Sequence, residues 1–229
     1  MAREKLAERT LPDYTTGEEI VNMVSHIVGS VAGIVALTLG IVIAVWFGDG
    51  YSVAGALVYG IAMILLYTFS SIYHGLGKHL LAKKVIQIID HCSIFILIAG
   101  TYTPIVLCAI RKFDPVLAWA LFAVVWAAAI VGIALNSIDI KRYKKFSAIC
   151  YLAMGWCIVF AYKALDFLVA RGGTGLLLAG GLCYTVGACF YYFFKKTRYM
   201  HSVFHLFVLA GSITHMLYIL LYVLPIVVK

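Results

Sequence analysis

Three histidines carry the most chemical information in this chain. His201 and His205 stand four residues apart, so on a helix both rings leave the same face and can grip one metal ion. Ser70 and His74 repeat that spacing on another segment. Three neutral imidazoles and a water make a zinc sphere that keeps the ion a strong Lewis acid with one position open. Asp90 adds a carboxylate that such a sphere does not need as a ligand; it is free to orient or deprotonate the water. A lone HxxxH arises by chance in many helices. The competing reading makes these imidazoles interfacial groups, hydrogen-bonded to backbone or lipid headgroups. What separates the two readings is whether the residues meet.

Other polar residues read differently. His79 falls in a connection and is expected to be solvated. His91 follows Asp90, but one helical step turns its side chain about 100° away. His215 lies about 15 Å further along its helix than His205, too far to share its ion, and is expected to hydrogen-bond another helix. Glu19, Asn22 and His26 form an i, i+3, i+7 stripe, suited to helix packing or to supporting a neighbouring site. Gly100-Thr101-Tyr102-Thr103-Pro104 reads as a proline kink whose freed carbonyls nearby hydroxyls satisfy.

The elements that must position these residues are membrane spans. Of 229 residues, 64% are hydrophobic and 12% charged, against about 25% charged in a soluble domain. Seven apolar blocks, approximately 20–47, 52–74, 85–110, 115–135, 146–164, 175–194 and 199–228, are long enough to cross roughly 30 Å of hydrocarbon. They are continuously apolar rather than alternating, so helices are expected and barrel strands are not. The expected fold is an all-α membrane protein: a tail over 1–19, then a seven-transmembrane-helix bundle over 20–229. The net charge of +8 is scattered in short clusters between apolar blocks, which argues against a nucleic-acid partner. Six cysteines without a CxxC pair are expected to be inert buried thiols. Met1 to Glu19 is polar and has no apolar stretch of the signal-peptide kind.

Lys and Arg set the orientation. Counted over alternate connections, thirteen fall on the N-terminal side and five on the other. The positive-inside rule then places the N-terminus in the cytoplasm and, after seven spans, Lys229 outside. His26, His74, Asp90, His201 and His205 all fall toward the cytoplasmic half in this arrangement. Asp90 lies about 9 Å beyond Lys84 and His205 about 10 Å beyond Arg198 at 1.5 Å per residue, so one layer can hold them.

Ser70-Ser71-Ile72-Tyr73-His74, Asp90 and His201-Ser202-Val203-Phe204-His205 resemble the signature of the hemolysin III family, within the progestin and adiponectin receptor group of seven-span proteins. The Glu19-x-x-Asn22-x-x-Ser25-His26 start and the GTYTP segment match its bacterial branch, as does the short tail. The resemblance covers essentially the whole chain. It implies a zinc ion held by His74, His201 and His205 near the cytoplasmic face, with Ser70 beside it and Asp90 reaching it through water. It also implies a multi-pass protein of the bacterial inner (plasma) membrane, and kinship with membrane ceramidases, which hydrolyse lipid amides at a similar site. Membrane lipids are the expected partners, and self-association into a homo-oligomer stays open. Three functions follow: a zinc-dependent lipid amide or ester hydrolase in membrane homeostasis, a sensor or receptor clamped by structural zinc, and a pore-forming or cytolytic hemolysin. The last has little support in the sequence, because polarity gathers at one end of the spans instead of lining a path through them.

Overall fold

The computed structural model describes residues 6–169, 172–194 and 197–225, with backbone only over 166–169. Arg3, Lys5, Arg171, Lys195, Lys196 and Lys229, all counted above for orientation, lie outside the described residues. So does the side chain of Asp166.

The described residues contain helices and no strands. They form α1 (Thr16–Phe47), α2 (Gly50–Gly75), α3 (Leu81–Pro104), α4 (Pro115–Trp156), α5 (Tyr162–Val169), α6 (Thr174–Phe193) and α7 (Met200–Tyr218). Among them, six helical stretches are long and apolar enough to cross a membrane. The chain is therefore a multi-pass helical membrane protein.

Six is one fewer than the seven blocks read from the sequence. The fourth and fifth fall in a single run, Pro115–Leu165, of 51 residues. Within α4 the helix is broken at Asp139, whose φ of −162° and ψ of 98° are not helical; beyond Trp156 the run continues through a 3-10 stretch, Cys157–Ala161, into α5. Asp139 Oδ1 accepts the Arg142 N–H at 3.1 Å, the bond of a helix N-cap. The expected loop over 136–145 is thus a one-residue break, and the helix resumes at 140 rather than 146.

The helices pack through small residues and turn large ones outward. On α1, Gly29, Gly33, Ala36, Gly40 and Ala44 are buried, while Val24, Val28, Val31 and Ile34 are exposed. A Cβ on Gly33 would lie 3.0 Å from the Ile64 backbone nitrogen, and one on Gly60 would lie 2.7 Å from Leu37 Cα. Hydrophobicity cannot drive helix association in lipid, so close backbone approach and dispersion replace it. Away from the polar end, the core is apolar: Phe95, Ile105, Val106, Ile110, Leu220 and Val223 are buried together.

The threonine hydroxyls of the GTYTP segment bond other carbonyls than Gly100 O, the one that Pro104 frees. Thr101 and Thr103 donate their hydroxyls to Leu97 O and Ala99 O, and the chain passes into a π-helical turn over Ile105–Ala109. The Tyr102 hydroxyl donates to Gly155 O at 3.0 Å and accepts from Ile158 N–H at 2.8 Å, pinning α3 to the end of α4. All six cysteines are free thiols.

Candidate functional site

At one end of the bundle α1 starts, α2 ends, and α3 and α7 start. Their register there is set by a carboxylate. Glu18 closes the capping box of α1, accepting the Thr15 N–H at 2.8 Å through Oε2. Its other oxygen accepts the Tyr199 N–H at 2.7 Å. Tyr199 has a φ of 62°, a left-handed conformation that a bulky side chain holds only under such constraint. One residue thus ties the start of α1 to the start of α7 and sets His201 in the first turn of α7.

His74, His201 and His205 meet here. Each offers a ring nitrogen, and the three nitrogens lie within 4.8 Å of one another. Nε2 of His201 and Nε2 of His205 are 3.0 Å apart. The His74 ring centroid is 4.9 Å from that of His205 and 5.5 Å from that of His201. His74 Nε2 and the Nδ1 atoms of His201 and His205 are buried with no hydrogen-bond partner. Unpartnered buried nitrogens are costly, and a cation bound between the rings relieves that cost at His74 Nε2. A set of three imidazole nitrogens from two helices, with His74 and His205 buried and His201 partly so, has the chemistry that zinc accepts, so the residues fit that ion.

Asp90 and Ser70 stand nearby without touching the rings. Asp90 has 14% of its side chain exposed and interacts electrostatically with His26, His74 and His201. No hydrogen bond joins it to the three imidazoles among the described residues. Ser70 is buried one turn before His74, also without a hydrogen bond to them.

Several neighbours were not assigned to the site from the sequence. Glu19 Oε2 lies 2.6 Å from His74 Nδ1, and its Oε1 accepts from Lys83 Nζ at 2.7 Å. Asn22 Nδ2 is 3.5 Å from His74 Nδ1. His26 packs on His205 with centroids 3.9 Å apart and meets Tyr67 edge-on. Tyr14, in the N-terminal tail, stacks on His201 at 4.7 Å with the rings 10° from parallel. The Glu19-Asn22-His26 stripe was the available signal for three of these. Nothing in the sequence pointed to Tyr14, and Lys83 read as an ordinary flanking charge.

The remaining histidines stay apart from the cluster. His79 is exposed, and His215 bonds Leu177 O on α6 at 3.0 Å. His91 donates to Gln87 O at 2.9 Å, yet the same nitrogen lies 3.5 Å from Asp90 Oδ2. It is therefore nearer to Asp90 than a 100° separation suggested. A groove of about 450 Å³ opens beside His74, between the start of α1 and the end of α2, with Tyr14, Glu19, Met23 and Lys78 in its walls.

Comparison with known proteins identifies the family of the chain. The family model described as "Haemolysin-III related" matches residues 14–216. The chain is 42% identical over 208 residues to Hemolysin-3 of Bacillus cereus, covering 91% of this chain and 93% of that one. It is 36% identical over 209 residues to the Hemolysin-3 homolog of Bacillus subtilis (strain 168), covering 91% and 96%. A more distant relative, the human Monocyte to macrophage differentiation factor, is 25% identical over 167 residues, covering 70% and 66%, consistent with the wider progestin and adiponectin receptor superfamily. On the extent of these matches, together with its apolar helices, the chain belongs to the haemolysin-III related family of membrane proteins.

Proposed function

We propose that this protein is a zinc-dependent hydrolase of lipid amides or esters, working in membrane lipid homeostasis at the cytoplasmic leaflet of the bacterial plasma membrane. The observation that carries the reading is the convergence of His74, His201 and His205, with a half-buried carboxylate within electrostatic reach. The three imidazoles would hold the ion. When bound, zinc supplies a Lewis acid and a water acidified toward neutrality. Asp90 takes the proton from the attacking water and later returns it to the leaving group. Ser70 Oγ hydrogen-bonds the substrate oxygen on which charge develops. The groove beside His74 gives an acyl chain a way in from the lipid side, because Ile20 on its wall is 51% exposed.

The chain crosses the membrane seven times in this reading, with the run Pro115–Leu165 counted twice and the N-terminus inside. Against direct pore formation stands the apolar core beyond the polar end, which offers ions no path.

Asp90→Asn tests the chemistry. The amide keeps the shape and one hydrogen bond but cannot accept the proton. Zinc content and melting temperature should stay near wild type, while lipid turnover falls by a factor on the order of 10²–10⁴. If zinc is instead a structural clamp with Asp90 as its fourth ligand, the variant loses metal and stability, and no turnover is found even in the wild type. That pattern would replace the hydrolase with a sensor.

A further inference from the structure

The contact between Glu19 and His74 belongs to a larger buried chain. Glu19 lies between His74 Nδ1, at 2.6 Å, and Lys83 Nζ, at 2.7 Å. Lys83 is 1% exposed; it also donates to Leu76 O at 2.9 Å and lies 4.9 Å from the centroid of the Tyr73 ring. A lysine is almost never buried so fully unless paired, and burying it costs stability that hydrophobic packing alone would not. The chain links α1, α2 and α3 and ends on one ring nitrogen.

A carboxylate only accepts hydrogen bonds. In the 2.6 Å contact the proton therefore sits on His74 Nδ1. In a neutral ring that leaves the lone pair on Nε2, which is buried and has no hydrogen-bond partner. Nδ1 of His201 and Nδ1 of His205 have no such support. Among the described residues, His74 is thus the one ring of the three whose Nδ1 is held by a hydrogen bond.

We infer that Glu19 and Lys83 are a positioning pair that holds His74 with Nδ1 protonated and Nε2 presented to the metal. This rests on the zinc reading above. Glu19 orients the ring and raises its basicity as a ligand, while Lys83 fixes the carboxylate from its far side. Neither residue serves as a ligand of the ion.

The full chain in lipid nanodiscs, titrated with zinc against a chelator, tests the pair. Glu19→Ala should weaken zinc binding by about 10–100-fold. Glu19→Gln still accepts through its amide oxygen and should lose less. Lys83→Met is close in shape and should weaken binding in the same direction, with Lys83→Arg restoring much of it. Asp49→Ala removes the cap of α2, which bonds Ser52 N–H at 2.9 Å away from the histidine cluster; it should lower stability but leave zinc affinity unchanged. A readout without metal is the ¹⁵N spectrum of His74 in the zinc-free protein: Nδ1-protonated in wild type, mixed in Glu19→Ala. Wild-type affinity in both Glu19→Ala and Lys83→Met, or an Nε2-protonated His74 in the wild type, would overturn the inference and leave the zinc site standing. A wild type that binds no zinc would overturn the zinc reading and the positioning role together.

Discussion

Residue identity and spacing go far toward the histidine cluster, because two of its members share a helix face and the third ends a neighbouring span. If the three rings hold zinc, the purified protein should carry about one ion per chain. His201→Ala or His205→Ala should lose most of it and melt at lower temperature, since metal binding free energy adds to folding free energy. His79→Ala should keep its zinc, and so should His215→Ala, although the latter breaks the bond to Leu177 O. Metal analysis and thermal melts on one set of preparations check this; full zinc in a triple alanine variant at 74, 201 and 205 would refute the assignment. The supporting residues were harder to read. Glu19 meets His74 across 55 positions and Lys83 across 64, a pairing decided by how three helices lie together. Lys83 sits in the first turn of α3, where a basic residue ordinarily reaches water, and its partners Glu19, Leu76 O and the Tyr73 ring explain its burial. Tyr14 precedes the first helix, and no periodicity places a residue there.

Helices as units were legible through composition, and their contacts through small residues. Where a glycine faces a large ring, substitution shows what the contact is worth. A Cβ on Gly29 would lie 2.2 Å from Tyr67 Cδ1. Tyr67 is fully buried, donates its hydroxyl to Val208 O and packs against His26. Its ring has nowhere to retreat without disturbing α7 and the edge of the histidine cluster. Gly29→Ala should therefore destabilise by about 1–3 kcal/mol, the usual cost of overpacking, seen as a lower melting temperature. A melting temperature equal to wild type would mean that α1 and α2 are not packed this closely. The break in α4 was misjudged for a physical reason. The polar run Asn136 to Lys145 looks like a loop, but its residues are compatible with helix, and Asp139 alone leaves the helical conformation. Asn136 is buried at the bend, accepting from Ser147 Oγ at 2.7 Å and donating to Tyr151 OH at 3.3 Å, so the two arms are stitched together. Asp139→Ala removes the cap of the second arm and should cost about 1 kcal/mol, measurable by the same melts.

At the scale of the whole molecule, topology decides which side of the membrane the chemistry faces. The run Pro115–Leu165 has 51 residues; as a straight helix it would be about 77 Å long, more than twice the roughly 30 Å of hydrocarbon. Asp139 is where the helix breaks, and the proposed seven spans have the run turn back there. Lys141, Arg142, Lys144 and Lys145 follow the break and are exposed. Lys144 lies 4.8 Å from the centroid of the Tyr191 ring, and Tyr191 lies 5.6 Å from His201. The strongest basic cluster is therefore at the histidine end of the bundle. Basic connections stay in the cytoplasm, so that end should face inward. Reporters inserted at His79 or Lys141, or fused ahead of the N-terminus, should read as cytoplasmic, and reporters inserted at Gly50 or fused to the C-terminus as external. A cytoplasmic C-terminus would require an even number of spans, return Pro115–Leu165 to a single crossing, and put the basic cluster and Asp139 inside the bilayer. An external reading at both His79 and Lys141 would keep seven spans but turn the histidine end outward, and a hydrolase there would act on the outer leaflet.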